Sequence, residues 1–115
     1  MKRGEIYWAN LAPRSGSEQQ GTRLVIIVSH DGFNQSPDWK SIIVVPLSTS
    51  AFQAGRGPTM VRMSAGESGL PKVSVALCHH VTTLDCSKLT SKIGELSESL
   101  LADVGEAVKI AQELT

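Results

Sequence analysis

The chain has 115 residues, which is enough for one domain with a buried core and too few for two. Hydrophobic residues make up 41% of it and charged residues 19%, a balance that excludes a largely disordered chain. The formal net charge is zero, which argues against a protein that holds nucleic acid by bulk charge.

The first half of the chain has the pattern of three strands separated by polar loops. The aromatic content of EIYWAN, residues 5–10, is typical of a strand, and a polar loop follows as far as Gly21. Residues 24–28 are an unbroken apolar run, which indicates a strand buried on both faces. The segment SIIVVPLS, residues 41–48, predicts a third strand. Pro46 within it predicts an edge or a bulge, because proline cannot donate to the ladder.

The second half predicts two more strands and a helix. Residues 59–63 alternate weakly, and residues 73–77 predict a fifth strand that we expect to continue through Val81. From Ser97, the expected N-cap, apolar residues recur at helical spacing, with acidic residues early in the run. Short strands with Gly and Pro turns and no alternating helices favour a mainly β fold, a small antiparallel β-barrel with a C-terminal helix.

Charge is unevenly distributed along the chain. Residues 1–93 hold ten Lys or Arg against six Asp or Glu, and residues 94–115 hold one against five. The body is therefore +4 and the tail −4, so the neutral total can hide a basic face. From the count alone, charges scattered over a solvated surface are equally compatible.

The two cysteines, Cys78 and Cys86, have no CxxC spacing, and the charged N-terminus is unlike an export signal. We therefore expect reduced, structural thiols. His79 and His80 adjoin Cys78, but adjacent residues of a strand point to opposite faces and would not converge on one ion. No apolar run approaches the roughly 18 residues of a membrane span. The sequence thus predicts a cytoplasmic protein with no membrane association, no metal and no cofactor.

A polar loop runs directly into the second strand, in the stretch SGSEQQGTRLVIIVS, residues 15–29. A loop with an acid and a guanidinium, Glu18 and Arg23, held by a rigid strand is one way in which a protein holds an anionic substrate. The alternatives stay open at this point: Arg23 could pair with Asp31 or Asp38, and Glu18 could lie in water.

Four segments, in their order and spacing, resemble the MazF/PemK family of toxin endoribonucleases from bacterial toxin–antitoxin pairs. They are KRGEIYWANLAP, GSEQQGTR, VVPLSTS and TTLDCSKLTSKIGEL, and the G-S-E-Q-x-G-x-R loop is the most specific of them. The resemblance implies one toxin domain over residues 1–115, with an SH3-like barrel of the PemK/CcdB kind that forms a homodimer. It also implies cleavage of single-stranded RNA at short sequences without a metal. A MazE-like antitoxin would inhibit the toxin through an extended acidic C-terminal segment.

The resemblance also assigns site residues. Arg23 matches the family's catalytic arginine, and Glu18 matches a loop acid implicated in some members. Ser48 stands where the family most often has a catalytic threonine, with Thr49 beside it as the alternative. Leu24 replaces the family's usual proline after the arginine, which should loosen the local backbone without removing the guanidinium.

The residues expected to contact RNA depart from the family pattern, because His80 and Thr82 stand where the family often has Gln and Arg. This difference should alter the cleavage sequence more than the reaction. The expected RNA-binding residues are Gln19, Gln20, Thr49, Arg56 and His80.

Metal-free RNA cleavage needs a group that takes the 2′-hydroxyl proton, stabilisation of the phosphorane and help for the leaving 5′ oxygen. Arg23 suits the second task, because its planar fork makes paired, charge-assisted hydrogen bonds to phosphate. Ser48 can orient the phosphate or the 2′-oxygen, and Glu18 could take the proton. Without a metal the RNA's own 2′-hydroxyl attacks, so the expected ends are a 2′,3′-cyclic phosphate and a 5′-hydroxyl.

Two other classes of protein remain open. The gyrase poison CcdB resembles this fold, but that family depends on a Trp near an apolar C-terminus, whereas this chain ends AQELT. A plain SH3-like binding module is the third possibility, and the combination of Arg23 with Ser48 argues against it.

Overall fold

Seven β-strands and two α-helices make up the fold in the computed structural model, which describes residues 1–11, 21–49 and 57–113. The strands are β1 Glu5–Leu11, β2 Gly21–Ile27, β3 Ser41–Ser48, β4 Met60–Met63, β5 Ser74–Leu77, β6 Thr82–Asp85 and β7 Leu89–Glu95. The helices are α1 Asp31–Asn34 and α2 Glu98–Ala111. Short 3₁₀ turns occupy Glu67–Gly69, Cys78–His80 and Cys86–Lys88.

The strands form one antiparallel sheet in the order β4-β5-β3-β2-β1-β7, and β6 pairs with β3 beyond the end of β5. The mainly β, SH3-like barrel fold with a C-terminal helix is confirmed. Five strands were expected and seven are present, because β6 and β7 went unrecognised. Most of their residues are exposed or only half-buried, so neither strand shows a clear apolar alternation.

Both faces of the sheet are apolar, because successive residues of a strand point to opposite sides. The face under α2, called here the helix face, buries Leu24 and Ile26 against Val104 and Ala107 of the helix. On the opposite face, called here the second face, Val25 and other strand residues form a separate core cluster. The unbroken apolar run in β2 is therefore buried on both sides, as predicted.

Pro46 lies in the middle of the sheet, so the prediction of an edge strand is wrong. On one side, β3 has two different neighbours along its length. As far as Val44, which pairs with Thr82, the neighbour is β6, and from Leu47, which pairs with Ala76, it is β5. Pro46 falls between these two segments. The missing N–H therefore lies where the neighbouring chain leaves the sheet.

The same gap explains why β5 does not continue through Val81. After Leu77 the chain turns into the 3₁₀ segment Cys78–His80 before β6 begins. Buried Cys78 packs in the core of the helix face, and both cysteines are free thiols. Burial raises the pKa of the Cys78 thiol to about 11.

The two helices have clear N-caps. The Ser97 side chain accepts a hydrogen bond from the Leu100 N–H at 3.2 Å, which confirms Ser97 as the cap of α2. Helix α1 was not predicted, since its four residues fell in an expected loop. It begins after His30, whose Nδ1 accepts a hydrogen bond from the Gly32 N–H at 2.8 Å. No helix in the described part of the chain is long and apolar enough to cross a membrane.

Candidate functional site

Arg23 lies inside β2 and not before it, because the strand begins two residues earlier, at Gly21. Its backbone is held by pairing with Ala9 of β1, and its side chain is half-buried. Among the described residues the guanidinium makes no hydrogen bond or ion pair. It is therefore available to a ligand.

The suggested carboxylate partners of Arg23 belong elsewhere. Asp31 lies beyond the other end of β2, where it accepts hydrogen bonds from the Arg3 backbone N–H at 2.6 Å and from Asn34 at 3.1 Å. Those hydrogen bonds hold the pKa of Asp31 below its usual range. Asp38 is exposed and forms no ion pair with a described residue. The alternative in which Arg23 pairs with either residue is not supported.

Ser48 is the last residue of β3 and is buried, with 6% of its surface exposed. It pairs with Val75 of β5. The Ser48 hydroxyl is thus carried by a backbone that the pairing with β5 holds in place. Thr49 follows outside the strand and is exposed.

The register of β2 and β3 brings Arg23 and Ser48 to the same end of the strand pair. The ladder includes the pair Val25 and Pro46, and two residues further along each strand lie Arg23 and Ser48. At the intermediate step, Leu24 and Leu47 are both in the core of the helix face, as this register requires. The pairing of β2 and β3 ends at Val25 and Pro46, and the alternation of faces beyond that pair puts Arg23 and Ser48 both on the second face.

The His79–His80 pair lies in the 3₁₀ turn after β5, with ring centroids 4.2 Å apart in an edge-to-face arrangement. Burial and the neighbouring His79 lower the pKa of His80, which favours its neutral form. His79 is held by Thr59, whose Oγ1 lies 3.3 Å from the His79 Nδ1.

The position of His79 and His80 in a 3₁₀ turn corrects the prediction that they lie on a strand and point to opposite faces. His79 and His80 are not on a strand, so alternation of faces does not separate them. Across residues 1–11, 21–49 and 57–113, no group of three or more His, Cys, Asp or Glu residues is placed to hold a metal ion.

Four of the predicted site residues lie outside the described part of the chain. They are Glu18, Gln19, Gln20 and Arg56. The described candidate residues are therefore Arg23 and Ser48 at one end of β2 and β3, Thr49 next to Ser48, and His80 in the turn after β5.

Arg62 is a basic residue that the sequence interpretation passed over. It lies on β4, is exposed, and pairs with Val75, the residue that also pairs with Ser48. The weak alternation of residues 59–63 was a signal for the strand. Only the register connects Arg62 to the site.

Comparisons with known proteins identify the family. The family described as PemK-like, MazF-like toxin of type II toxin-antitoxin system matches residues 2–111. The endoribonuclease EndoA of Bacillus subtilis (strain 168) is 34% identical over 114 residues, which cover 99% of this chain and 96% of that protein. The endoribonuclease MazF of Staphylococcus saprophyticus is 33% identical over 111 residues, covering 96% of this chain and 90% of that protein.

Solved structures show the same fold. MazF (Form-I) from Deinococcus radiodurans superposes with a TM-score of 0.80 at 24% identity, covering 98% of this chain and 96% of that one. The Mycobacterium tuberculosis toxin MazF-mt6 gives 0.76 at 26% identity, covering 96% and 98%. With a family match over nearly its whole length, this chain belongs to the PemK-like, MazF-like toxins of type II toxin-antitoxin systems.

Proposed function

We propose that this toxin is a metal-independent, sequence-specific endoribonuclease that cuts single-stranded RNA, including mRNA, as one domain over residues 1–115. The observation that carries the proposal is the position of Arg23 and Ser48 at one end of β2 and β3, on the same face. Relatives at 33–34% identity that bear the name endoribonuclease support the same activity.

The proposed reaction is an internal transfer within the RNA. The 2′-oxygen attacks the adjacent phosphorus, and the new P–O2′ bond forms as the P–O5′ bond breaks. One proton leaves the 2′-hydroxyl and one reaches the departing 5′-oxygen, so the ends are a 2′,3′-cyclic phosphate and a 5′-hydroxyl. Arg23 stabilises the negative charge of the phosphorane with its paired donors.

Ser48 and Glu18 complete the proposed chemistry. Ser48 sits level with Arg23 and orients the phosphate or the 2′-oxygen, whereas Thr49 is one residue further and is directed to the other face if the chain stays extended. Glu18 acts as the base. Gln19, Gln20, Arg56 and His80 contact the RNA. The lowered pKa of His80 disfavours the charged ring, so His80 suits a base edge better than a phosphate.

The proposed partners follow from charge. Residues 1–93 carry a net charge of +4, so a basic groove of a homodimer could hold either RNA or the extended acidic segment of a MazE-like antitoxin. RNA and an antitoxin peptide should therefore compete. A peptide that bound without lowering RNA affinity would contradict a shared groove.

Incubation of the purified protein with end-labelled single-stranded RNA tests the reaction. We expect cleavage that persists in EDTA, a 2′,3′-cyclic phosphate or its 3′-phosphate hydrolysis product, and full resistance when the ribose at the cut site is replaced by deoxyribose. Loss of cleavage in EDTA, or cutting after deoxyribose, would contradict the mechanism. A parallel incubation with gyrase distinguishes a CcdB-like poison, and inactivity in both assays would favour a binding module.

A further inference from the structure

A row of paired residues crosses the sheet at the level of Ser48. Arg62 of β4 pairs with Val75 of β5, and Val75 pairs with Ser48 of β3. Partners in an antiparallel ladder share a face of the sheet, so Arg62 and Ser48 lie on the same side. Arg23 continues the row on the other side of Ser48.

The neighbouring row supports this assignment of faces. Val61, Ala76 and Leu47 are paired one step along the same three strands, and all three belong to or pack against the core of the helix face. Because faces alternate residue by residue, the row that contains Arg62 must be directed away from α2. It therefore lies on the second face, with Arg23.

The strand spacing sets how far Arg62 and Arg23 lie from each other along this row. Neighbouring strands are about 4.8 Å apart, which puts the Arg62 backbone roughly 10 Å from Ser48 and still further from Arg23. Arg62 and Arg23 therefore lie on opposite sides of Ser48 in this row. A strand of RNA that crossed the sheet would bring a second phosphate toward Arg62.

Arg62 is free to make such a contact. Its side chain is exposed on β4, the outermost strand on that side of the sheet, and no described carboxylate forms an ion pair with it. A guanidinium presents two parallel donors that match phosphate oxygens, which an unpaired arginine at a sheet edge can offer directly.

We propose that Arg62 binds an RNA phosphate that flanks the scissile one, so that the RNA runs from Arg23 past Ser48 toward the β4 edge. This inference rests on the proposed endoribonuclease function. Arg62 holds the RNA and takes no part in breaking the bond. Its loss should therefore weaken binding and leave the chemical step intact.

The first test compares Arg62→Ala with the wild-type toxin on one RNA. We expect KM to rise about three- to tenfold with kcat within about twofold. The control is Lys40→Ala, which removes an exposed positive charge next to the other end of β3 and should change neither parameter. Both variants should unfold at the wild-type temperature, because both side chains are exposed.

The second test uses an uncleavable RNA with deoxyribose at the cut position. The slope of log affinity against log salt should fall by about 0.7 in Arg62→Ala, the amount expected for one lost phosphate contact to a single strand. Neutral methylphosphonates placed one at a time along the RNA should weaken wild-type binding at a flanking position. At that position Arg62→Ala should show no further loss.

Several results would overturn the inference. If Arg62→Ala left both KM and the salt slope unchanged, the inference would be wrong. Cleavage by the wild-type protein would still support the proposed function. The same holds if Arg62→Ala weakened only the binding of an acidic antitoxin peptide, because the guanidinium would then serve a protein partner. A wild-type protein that neither bound nor cut RNA would overturn both proposals.

Discussion

Arg23 combines a fixed backbone with a guanidinium that no described side chain engages. We predict that Arg23→Ala lowers the cleavage rate on the order of 10²–10³-fold, the usual effect of removing one preorganised donor to a developing oxyanion. Arg23→Lys should fail as well, because a point ammonium cannot reproduce the planar fork. Single-turnover rates on the best RNA give the measurement. A folded Arg23→Ala protein within about threefold of wild type, or about 0.6 kcal/mol in the barrier, would refute the assignment.

Ser48 and Thr49 are adjacent in sequence but differ in surroundings, since Ser48 is buried at the strand end and Thr49 is exposed. We predict that Ser48→Ala lowers the rate on the order of tenfold through loss of a hydrogen bond to a charged group, and that Ser48→Thr keeps activity. Thr49→Ala is the control and should stay near wild type. The reverse order of the two alanine variants would make Thr49 the catalytic hydroxyl.

At this scale the resemblance, and not the residue pattern, predicted Arg23 and Ser48, which lie toward the same end of β2 and β3. Arg23 could not be separated from a surface arginine by its neighbours in sequence alone. Arg62 escaped notice because its connection to Ser48 passes through Val75, a contact that exists only once three strands are in register.

Two elements approach closely through glycines, since the 3₁₀ turn Glu67–Gly69 packs against β7 at Gly94. A Cβ at Gly69 would strike the Ile93 carbonyl, and one at Gly94 would strike the Ser68 carbonyl. These obstacles are backbone atoms, so they cannot swing away as a side chain end would.

We predict that Gly94→Ala destabilises the protein by about 1–3 kcal/mol from overpacking. Gly69→Ala should cost about 2–5 kcal/mol, because strain at its positive φ adds to the overpacking. Gly66→Ala is the matched control, because Gly66 has the same positive φ as Gly69, 85° against 82°, but open space around it. It should cost only about 1–2 kcal/mol, from backbone strain. Urea unfolding midpoints measure all three, and equal losses at Gly66 and Gly69 would show that strain, not contact, decides.

Strands with a buried apolar face were predictable as elements, and β3 was found with its observed bounds, Ser41–Ser48. The two strands that were missed, β6 and β7, lie late in the sequence and have mostly exposed or half-buried side chains. β6 pairs with β3 and β7 pairs with β1. Because these partners are far away in the sequence, no local pattern predicts the two strands. Helix α1 is too short for periodicity to act as a signal.

Across the whole molecule, the first and last strands are joined by an ion pair as well as by backbone. Glu5 of β1 is buried with 7% exposure, and its Oε2 accepts a hydrogen bond from the Lys92 Nζ of β7 at 2.8 Å. Burial alone would raise the pKa of Glu5, but hydrogen bonds from Lys92, the Lys2 backbone and Tyr7 outweigh it and hold the pKa below its usual range.

A lowered pKa makes this contribution to stability sensitive to acid. The stabilisation is present above the ordinary glutamate pKa of about 4.3 and is lost as the pH falls through the lower folded value, because the unfolded chain takes up the proton first. Glu5→Gln should therefore flatten the fall of the unfolding free energy below about pH 4.3. Exposed Glu98→Gln is the control. Parallel pH profiles for Glu5→Gln and wild type would contradict the prediction.

The pairing of β1 with β7 also determines when the sheet can be completed during synthesis of the chain. β1 is made before the other described strands, and the strand that covers its outer edge, Leu89–Glu95, is made after them. Until then β1 presents a bare edge and the helix face has no helix, so an unfinished chain is prone to aggregation. A ribosome that stops before residue 89 thus releases a chain without a complete sheet. The sheet of this toxin can therefore be complete only after β7 has been made.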